Sequence, residues 1–340
     1  MKILSPLLWT LLADKVRSRR NISLLTAIGS TLVFIPCFWV RDFRTMFVVV
    51  TLYAFFRMGI LPLIEAATWE SVETKGIEYG KVRYWGSVGF VLTVSACGFL
   101  FDIIPLYSMI YFITVLSVIL ILAVTKIPKD AESGPKPKAQ VSFLSSFKKP
   151  GLIIFLVTAI FIQMSHGAYY GFFAIFMEDL GFARYTIGVG WALAVLCEIV
   201  LMIRFRRWFG QRSPQTLMLI SCFIAAWRWF VMAQTESLMV LLLVQSTHAF
   251  TFAAFHISSL AYLNKHIPAR IRTSAIGLLS ALSFGVGGTI GLVLSGYLYE
   301  AVGPRSIFTA AGFLALCASV FAIGLHIISM YRPAAQAVQK

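Results

Sequence analysis

Ten separate stretches of this chain are apolar over roughly the length of a membrane-spanning helix. They cover residues 22–40, 46–64, 84–101, 106–125, 151–177, 186–203, 216–233, 238–263, 275–295 and 306–330. A bilayer core about 30 Å thick needs about 20 apolar residues in an α-helix. Because lipid offers no hydrogen bonds, each segment must satisfy its own backbone, as a helix does. The pattern predicts an all-α polytopic membrane protein surrounded by the lipid bilayer.

The first apolar stretch, residues 3–13, is about half as long as the others. Eleven residues rise about 16 Å in a helix, which is half the thickness of the bilayer core. The stretch lacks a small-residue cleavage site, so a signal peptide is not indicated. We expect it to form only half of a span.

The basic residues predict how these spans are oriented. Lys and Arg outnumber Asp and Glu by 29 to 14, which in a soluble protein would suggest a nucleic acid partner. Here 22 of the basic residues that lie in loops occupy one set of loops, and only four occupy the alternate set. Since cytoplasmic loops carry such an excess, we expect the central loop and the C-terminus in the cytoplasm and the spans in the inner membrane. Topology accounts for the charge, and no nucleic acid partner is expected.

A polar, basic and proline-containing stretch, residues 126–150, divides the chain. Its composition is typical of a cytoplasmic linker between two helical bundles. We therefore expect an N-terminal bundle of four and a half spans over 1–125 and a six-helix C-terminal bundle over 151–330. Residues 331–340 are expected to form a cytoplasmic tail.

The two halves also resemble each other in sequence. Cys-Gly-Phe-Leu-Phe-Asp at 97–102 parallels Ser-Gly-Tyr-Leu-Tyr-Glu at 295–300, at an offset close to that between the spans that start at 46 and 238. Parallel repeats of this kind are a known plan of transporters. Projecting the second half onto the first predicts that about forty residues, one helix and the outer half of another, are missing before Met1.

Two motifs carry a resemblance to a known family. Residues 10–20, TLLADKVRSRR, resemble the loop G-x-x-x-D-R-x-G-R-R between the second and third helices of the major facilitator superfamily. Residues 62–66, PLIEA, and 79–90, YGKVRYWGSVGF, are similar to its phenylpropionate-permease branch, and more distantly to lactose permease and nucleoside–proton symporters. The resemblance implies the major facilitator fold, with two pseudo-symmetric helical bundles. Here that fold would have about 10 complete transmembrane helices plus an N-terminal half-span, in a carrier that is not an enzyme and that we expect to be a monomer.

Ionisable side chains deep in the spans are the first functional candidates, because each costs at least ~2.5–3.5 kcal/mol on insertion scales. Glu198, Arg228 and His248 fall at similar depth on three successive spans of the second half. Arg228 would hold Glu198 ionised, protonation of Glu198 would release Arg228, and His248 can relay a proton near neutral pH. The pattern predicts a proton-coupling cluster, and a static ion pair that only locks helices is the alternative.

Further polar and aromatic residues are candidates for lining a substrate cavity. They are Arg57 and Glu65 in the first half and Gln163, His166, Tyr169, Tyr170, Gln245, Thr251 and His256 in the second. Arg57 needs an anionic partner, which could be Glu65, a helix C-terminus or an anionic substrate. Aromatic rings in a cavity could stack on a substrate ring, and simple packing is the alternative for them and for His256.

The basic turns of the chain are candidates for a cytoplasmic gate. We expect them to form salt bridges in the outward-open state. The residues concerned are Asp14, Arg17, Arg19, Arg20, Arg83, Arg207, Arg212 and Arg272.

Gly287 and Gly291 make a G-x-x-x-G step inside a span, which indicates close helix packing rather than a nucleotide loop.

Together these features predict a secondary transporter, namely a proton-coupled symporter of a small organic solute that works by alternating access. The resemblance implies an aromatic carboxylate, a sugar or a nucleoside as the solute. No metal-ligand spacing and no phosphate-binding Gly-Lys-Ser/Thr motif occurs, so no cofactor is expected. One alternative is a truncated, transport-inactive fragment or a wrongly started gene model. The other is a membrane-embedded transferase, which would need polar catalytic loops that these short basic loops do not offer.

Overall fold

The computed structural model describes residues 1–128 and 147–337, and their side chains except at positions 94, 95, 97–103, 106, 184 and 332–337. Within these residues the chain is helical and contains no strand, which confirms the predicted all-α architecture. The α-helices are α1 (Leu4–Val16), α2 (Arg19–Phe34), α3 (Phe43–Arg57), α4 (Ile60–Lys75), α5 (Tyr79–Ile103), α6 (Met109–Thr125), α7 (Pro150–Asp179), α8 (Arg184–Phe209), α9 (Pro214–Gln234), α10 (Leu238–Gln245), α11 (Phe255–His266), α12 (Arg272–Ser280), α13 (Gly288–Val302) and α14 (Pro304–Ala337). Short 3-10 turns and two π-helical segments, Ala249–Ala254 and Ala281–Gly287, join some of them.

Eight helical stretches of the described chain are long and apolar enough to cross a membrane. They are Arg19–Phe38, Phe43–Lys75, Pro150–Asp179, Tyr185–Phe209, Pro214–Gln234, Leu238–His266, Ala269–Val302 and Pro304–Tyr331. The two other predicted spans fall on α5, with 25 residues, and on α6, which has only 17. The predicted half-span coincides with α1, whose 13 residues rise about 20 Å. The total of ten complete spans stays a prediction.

The second of these stretches is longer than predicted and is interrupted at Met58 and Gly59. The sequence pattern predicts a span over 46–64, whereas the helical stretch runs from Phe43 to Lys75. Pro62 has no N–H to donate to the carbonyl of Met58, so one bond of the helix is lost at this point. A methyl group on Gly59 would lie 2.6 Å from Cδ1 of Trp9, so the absence of a side chain at Gly59 lets α1 approach closely.

The described residues group into two compact units. The first comprises Met1–Ile77, Gly89–Ser142 and Ile267–Ala281. In it, α1 packs on α12, and α2 packs on α3, α4 and α6. A methyl group on Gly277 of α12 would overlap the side chain of Thr10, so this glycine is what allows α1 and α12 to meet.

The second unit comprises Glu78–Val88, Phe143–His266 and Leu282–Lys340. In it, α7 packs on α13 and α14, and α9 packs on α14. A methyl group on Gly291 would overlap the backbone of Met164 on α7, and one on Gly287 would meet the backbone of Ile160. The close helix packing expected at these two glycines is therefore present.

Neither unit corresponds to one half of the sequence. The first takes 267–281 from the second half, and the second takes 78–88 from the first half. Most of the predicted linker lies outside the described residues, since they omit 129–146. Helix α14 continues to Ala337, beyond the predicted end of the bundle at residue 330. The boundaries of the two bundles stay a prediction.

Candidate functional site

A buried arginine on α9 is the centre of a buried polar cluster in the second unit. The Arg228 side chain is 0% exposed. One of its terminal nitrogens donates to Oε1 of Gln245 at 2.7 Å. The other donates to Nδ1 of His248 at 3.1 Å and to Oγ1 of Thr251 at 3.2 Å. All three acceptors are neutral, so both terminal nitrogens have hydrogen-bond partners without a direct counter-charge.

Two aromatic rings lie against the same guanidinium. Its Cζ is 4.3 Å from the ring centroid of Tyr169 and 4.4 Å from that of Trp229. A cation over an aromatic face gains about 2 kcal/mol or more when both groups are desolvated. The rings and the three acceptors together fix Arg228 in one orientation. Nε of Arg228 is buried and, among the described residues, has no hydrogen-bond partner.

The contact with Arg228 determines the tautomer of His248. Nδ1 faces a guanidinium N–H and must accept, so in the neutral ring the hydrogen is on Nε2. Nε2 lies 3.9 Å from Oε2 of Glu198. A doubly protonated ring would present a hydrogen to the guanidinium as well, and the contact with Arg228 would become repulsive. The protonation state of His248 and the position of Arg228 are therefore linked.

Glu198 on α8 is buried and is hydrogen-bonded to a residue from the first half of the sequence. The hydroxyl of Ser87 on α5 donates to Oε1 of Glu198 at 2.7 Å. Within the part of the chain that the structure describes, no direct ion pair joins Glu198 to Arg228. The expected direct pairing is thus replaced by a row in which His248 lies between the cation and the carboxylate.

His166 on α7 differs from His248, because both of its ring nitrogens have hydrogen-bond partners. Nδ1 donates to the carbonyl of Ile162 at 2.8 Å, and Nε2 accepts from the Thr251 hydroxyl at 3.3 Å. Its ring packs edge-on against Trp229. This arrangement suits a neutral histidine that orients Thr251, which in turn accepts from Arg228. His166 therefore belongs to the same network as a supporting member.

A row of stacked rings extends from the cluster along the π-helical segment and α11. His248, Phe252 and His256 are spaced four residues apart, and their rings are within 5° of parallel. The expected polar stripe thus has an aromatic ring between its two histidines. Single turns of π-helix occur frequently at functional sites, and this one contains Thr251.

The other cavity candidates are distributed over both units. Gln163 is buried on α7, and Tyr170 on the same helix is 44% exposed and stacks on Trp191. Arg57 ends α3, and Glu65 is buried on α4. These last two belong to the first unit.

In the first unit, Asp14 binds the start of α12. Its Oδ2 accepts from the backbone N–H and from the hydroxyl of Ser274, both at 2.6 Å. These bonds satisfy groups at a helix N-terminus, where a negative charge is favoured. Burial raises the pKa of Asp14, and the hydrogen bonds from Ser274 and Thr273 only partly oppose that effect.

Three charged contacts surround this cap. Arg19 forms an ion pair with Glu70 and donates to Oγ1 of Thr273 at 2.8 Å. Arg272 pairs with Glu73 at 2.6 Å. We call Asp14, Arg19, Glu70, Glu73, Arg272, Thr273 and Ser274 the clamp, because they tie the turn after α1 and the end of α4 to the start of α12.

The clamp contains three of the eight predicted gate residues, Asp14, Arg19 and Arg272. Arg20 lies beside it and donates to the carbonyl of Thr125 at 2.8 Å. Arg17 adopts a left-handed conformation that ends α1. The remaining candidates, Arg83, Arg207 and Arg212, lie in the second unit. Glu70 and Glu73 were not among the gate residues predicted from the sequence. Two acids one turn apart at the basic end of a span are nevertheless a pattern that indicates partners for these arginines.

Comparison with known proteins agrees with this architecture. A model of the "MFS_1 like family" matches residues 1–310. The probable 3-phenylpropionic acid transporter of Escherichia coli is 29% identical over 296 residues, covering 84% of this chain and 76% of its own. The nucleoside permease NupG of the same organism is 23% identical, covering 88% and 76%.

Solved structures show the same fold. The crystal structure of the E. coli fucose:proton symporter superposes with a TM-score of 0.71, at 14% identity, over 95% of this chain and 87% of its own. The expected major facilitator fold and the expected resemblance are thereby confirmed. An enzyme is excluded by the same comparisons, since the matching family and its members are membrane transporters. This chain is therefore a multi-pass membrane transporter of the major facilitator superfamily and belongs to the MFS_1 like family.

Proposed function

We propose that this chain is a proton-coupled symporter of a small organic solute and that it works by alternating access. The observation that carries the proposal is the placement of His248 between a buried arginine and a buried glutamate. This row is suited to take up one proton and to change the charge of its surroundings when it does so. We further propose a monomer in the inner membrane, with the central loop and the C-terminus in the cytoplasm.

The proposed coupling follows from charge balance around Arg228. With Glu198 ionised, the carboxylate and the guanidinium compensate each other across His248. A proton on Glu198 removes that compensation and leaves the positive charge of Arg228 in a low-dielectric surrounding. An anionic solute then binds more favourably, so proton and solute are carried together. A second proton on the His248 ring would break its contact with Arg228. The added positive charge would likewise favour the binding of an anionic solute.

Among the solute classes implied by the resemblance, a carboxylate suits this cluster best. Nε of Arg228 is a buried donor without a partner among the described residues, and a carboxylate can accept from it. The rings of Tyr169 and Trp229 flank the same position and suit an aromatic or apolar body. The relative named for 3-phenylpropionic acid supports this choice.

The clamp is proposed as the cytoplasmic gate. It joins residues far apart in sequence through one helix cap and two ion pairs, so breaking it would free the turn after α1 from α12. The two ion pairs are partly exposed, and ion pairs at a protein surface contribute only about 0.2–1 kcal/mol each, which is a suitable strength for contacts that must open in every cycle. Arg17, Arg20, Arg83, Arg207 and Arg212 are not part of the clamp, and their role in the gate stays a prediction.

Transport by the full chain in proteoliposomes tests the proposed function. Because a weak aromatic acid follows a pH gradient across lipid by itself, the signal is the uptake of labelled 3-phenylpropionate above that of protein-free vesicles. We expect the initial rate of this protein-dependent uptake to exceed the rate without a gradient by up to about tenfold per pH unit, if one proton moves with each solute. Maltose and a nucleoside, added as unlabelled competitors, report the substrate class.

Two results would contradict the proposal. Uptake that is independent of the gradient and of a protonophore would exclude proton coupling. Absence of uptake and of exchange for all three solutes, by protein shown to be folded and inserted, would favour the transport-inactive alternative.

The substitution Asp14→Asn tests the clamp through its pH dependence. Because burial raises the pKa of Asp14, the folded state binds the Asp14 proton more tightly than the unfolded state does. This contribution to stability is complete at pH values below the unfolded pKa, and it is lost as the pH rises through the folded pKa. The difference in thermal midpoint, wild type minus Asp14→Asn, is therefore expected to be largest below the ordinary carboxyl pKa of 3.8 and to fall as the pH rises above it.

Subtracting the thermal midpoint of the variant from that of wild type cancels the titration of all other carboxyl groups, so the difference in midpoint reports Asp14 alone. Asp42 is a matched control, because it is an exposed helix cap whose pKa is lowered by the backbone N–H of Thr45. For Asp42→Asn the difference is expected to change in the opposite direction with pH. If the difference in thermal midpoint between wild type and Asp14→Asn does not change with pH, the Asp14 carboxyl group is not buried in solution.

A further inference from the structure

A second group of charged residues surrounds an open cavity at one end of α5 and α8. The cavity has a volume of about 470 Å³. It is lined by Glu78, Lys81, Ile203, Arg204, Arg206 and Arg207. The lining thus contains four cations, one acid and one apolar side chain, all within the second unit. None of them takes part in the Arg228 cluster.

The single acid is already paired, so part of the positive charge is uncompensated. Glu78 lies 3.3 Å from Nζ of Lys81 and 3.6 Å from a terminal nitrogen of Arg206. Among the described residues, Arg204 and Arg207 have neither an ion pair nor a hydrogen bond to their side chains, and both are exposed. The cavity therefore presents two arginine side chains that a phosphate could bind through charge-assisted hydrogen bonds.

The two helices that line the cavity also carry exposed apolar and aromatic side chains close to its lining residues in sequence. Trp85 on α5 is 63% exposed, and Trp208 on α8 is 52% exposed. Val82 and Ile203 are exposed on the same two helices. Tryptophan is enriched where membrane helices meet the headgroup layer, and basic pockets at the cytoplasmic ends of helices bind anionic headgroups. The basic lining and the apolar flanks thus match the two parts of a lipid.

We propose that this cavity binds the phosphate headgroup of an anionic membrane lipid such as phosphatidylglycerol or cardiolipin. Arg204 and Arg207 contact the phosphate, and the acyl chains run along the exposed apolar residues of α5 and α8. A lipid is the occupant rather than a soluble phosphate, because the flanks offer apolar contacts that inorganic phosphate cannot use. This site is separate from the proposed proton and solute site and does not depend on it.

Native mass spectrometry of the full chain, released from detergent, tests the proposal by counting bound lipids. The protein is titrated with cardiolipin, with phosphatidylglycerol and with phosphatidylcholine. We expect saturable binding of the two anionic lipids, with each arginine contributing about fivefold in affinity. Arg204→Gln together with Arg207→Gln should therefore weaken that binding about 25-fold and leave the binding of phosphatidylcholine unchanged.

Controls separate this site from general charge effects. Arg212→Gln removes an exposed arginine that does not line the cavity, and it should leave anionic lipid binding within about twofold of wild type. The charge-conserving pair Arg204→Lys and Arg207→Lys should retain most of the affinity even if the glutamine pair folds poorly. Equal binding by wild type and the glutamine pair would overturn the proposal. Displacement of the lipid by millimolar inorganic phosphate would reassign the cavity to a soluble anion.

Discussion

Replacing Glu198 by glutamine is expected to abolish the uphill accumulation of substrate and to leave its exchange across the membrane intact. Glutamine keeps the size of the side chain and an oxygen that can accept the 2.7 Å hydrogen bond from Ser87. It does not bind a proton in the physiological range. Exchange needs only the movement of a loaded carrier between its two states, whereas accumulation needs a proton to move with each solute.

The measurement compares two assays on the same vesicles. With an inward pH gradient of one unit, the initial rate of uptake above that of protein-free vesicles is expected to rise up to about tenfold for wild type, whereas for Glu198→Gln this protein-dependent rate should stay at the value measured without a gradient. Counterflow, in which labelled solute enters vesicles preloaded with unlabelled solute, should proceed within a factor of a few of wild type. Glu236→Gln removes an exposed acid paired with Arg305 and should leave both assays unchanged.

The two possible failures have different meanings. Unchanged accumulation by Glu198→Gln would remove this residue from the proton path. Loss of counterflow as well as accumulation would favour the alternative of a static pair that only locks the helices, because such a role affects every movement of the carrier.

Replacing Arg228 by lysine is expected to weaken substrate binding by about 10- to 150-fold, which corresponds to one charge-assisted hydrogen bond of about 1.5–3 kcal/mol. Lysine keeps the charge but has no Nε–H, the donor that we assign to the substrate carboxylate. Its ammonium group also cannot lie flat against the rings of Tyr169 and Trp229 while reaching Gln245 and Thr251.

Binding of 3-phenylpropionate by purified protein, followed calorimetrically or through the fluorescence of Trp229 and its neighbours, measures this effect. Arg212→Lys is the matched control, since it makes the same change at an exposed position. The thermal midpoint of Arg228→Lys has to be recorded alongside, so that a loss of affinity is separated from a loss of fold. A stable Arg228→Lys protein with wild-type affinity would show that Arg228 does not contact the substrate.

The residues of the polar cluster could be found from the sequence because they are rare in their surroundings. Glu198, Arg228 and His248 are ionisable groups inside apolar stretches, and that alone makes them candidates. Their order in space could not be predicted. Depth along a helix follows from residue number, but rotation about the helix axis and the choice of rotamer do not. These two unknowns decided that His248, rather than Arg228, is the neighbour of Glu198.

Ser87 shows a second limit of the sequence. Serine occurs often inside membrane helices, where it usually bonds to its own backbone, as Ser165 and Ser319 do here. Nothing in its neighbourhood distinguishes Ser87 from such residues, and its partner is 111 positions away in the chain.

The clamp is an intermediate case. The basic turn at Asp14 was readable as a motif, whereas its binding to the start of α12 depends on contacts about 260 residues apart.

The interleaving of the two units bears on how such proteins can be recombined. A chimera that joins the front of this chain to the back of a relative at the central loop would separate Ser87 from Glu198 and Asp14 from Ser274. Each of those pairs would then have to form between residues of different ancestry. Exchanging 78–88 and 267–281 along with the opposite half would keep both native pairs. These two short segments, rather than the central loop, mark the natural crossover points for building hybrid carriers.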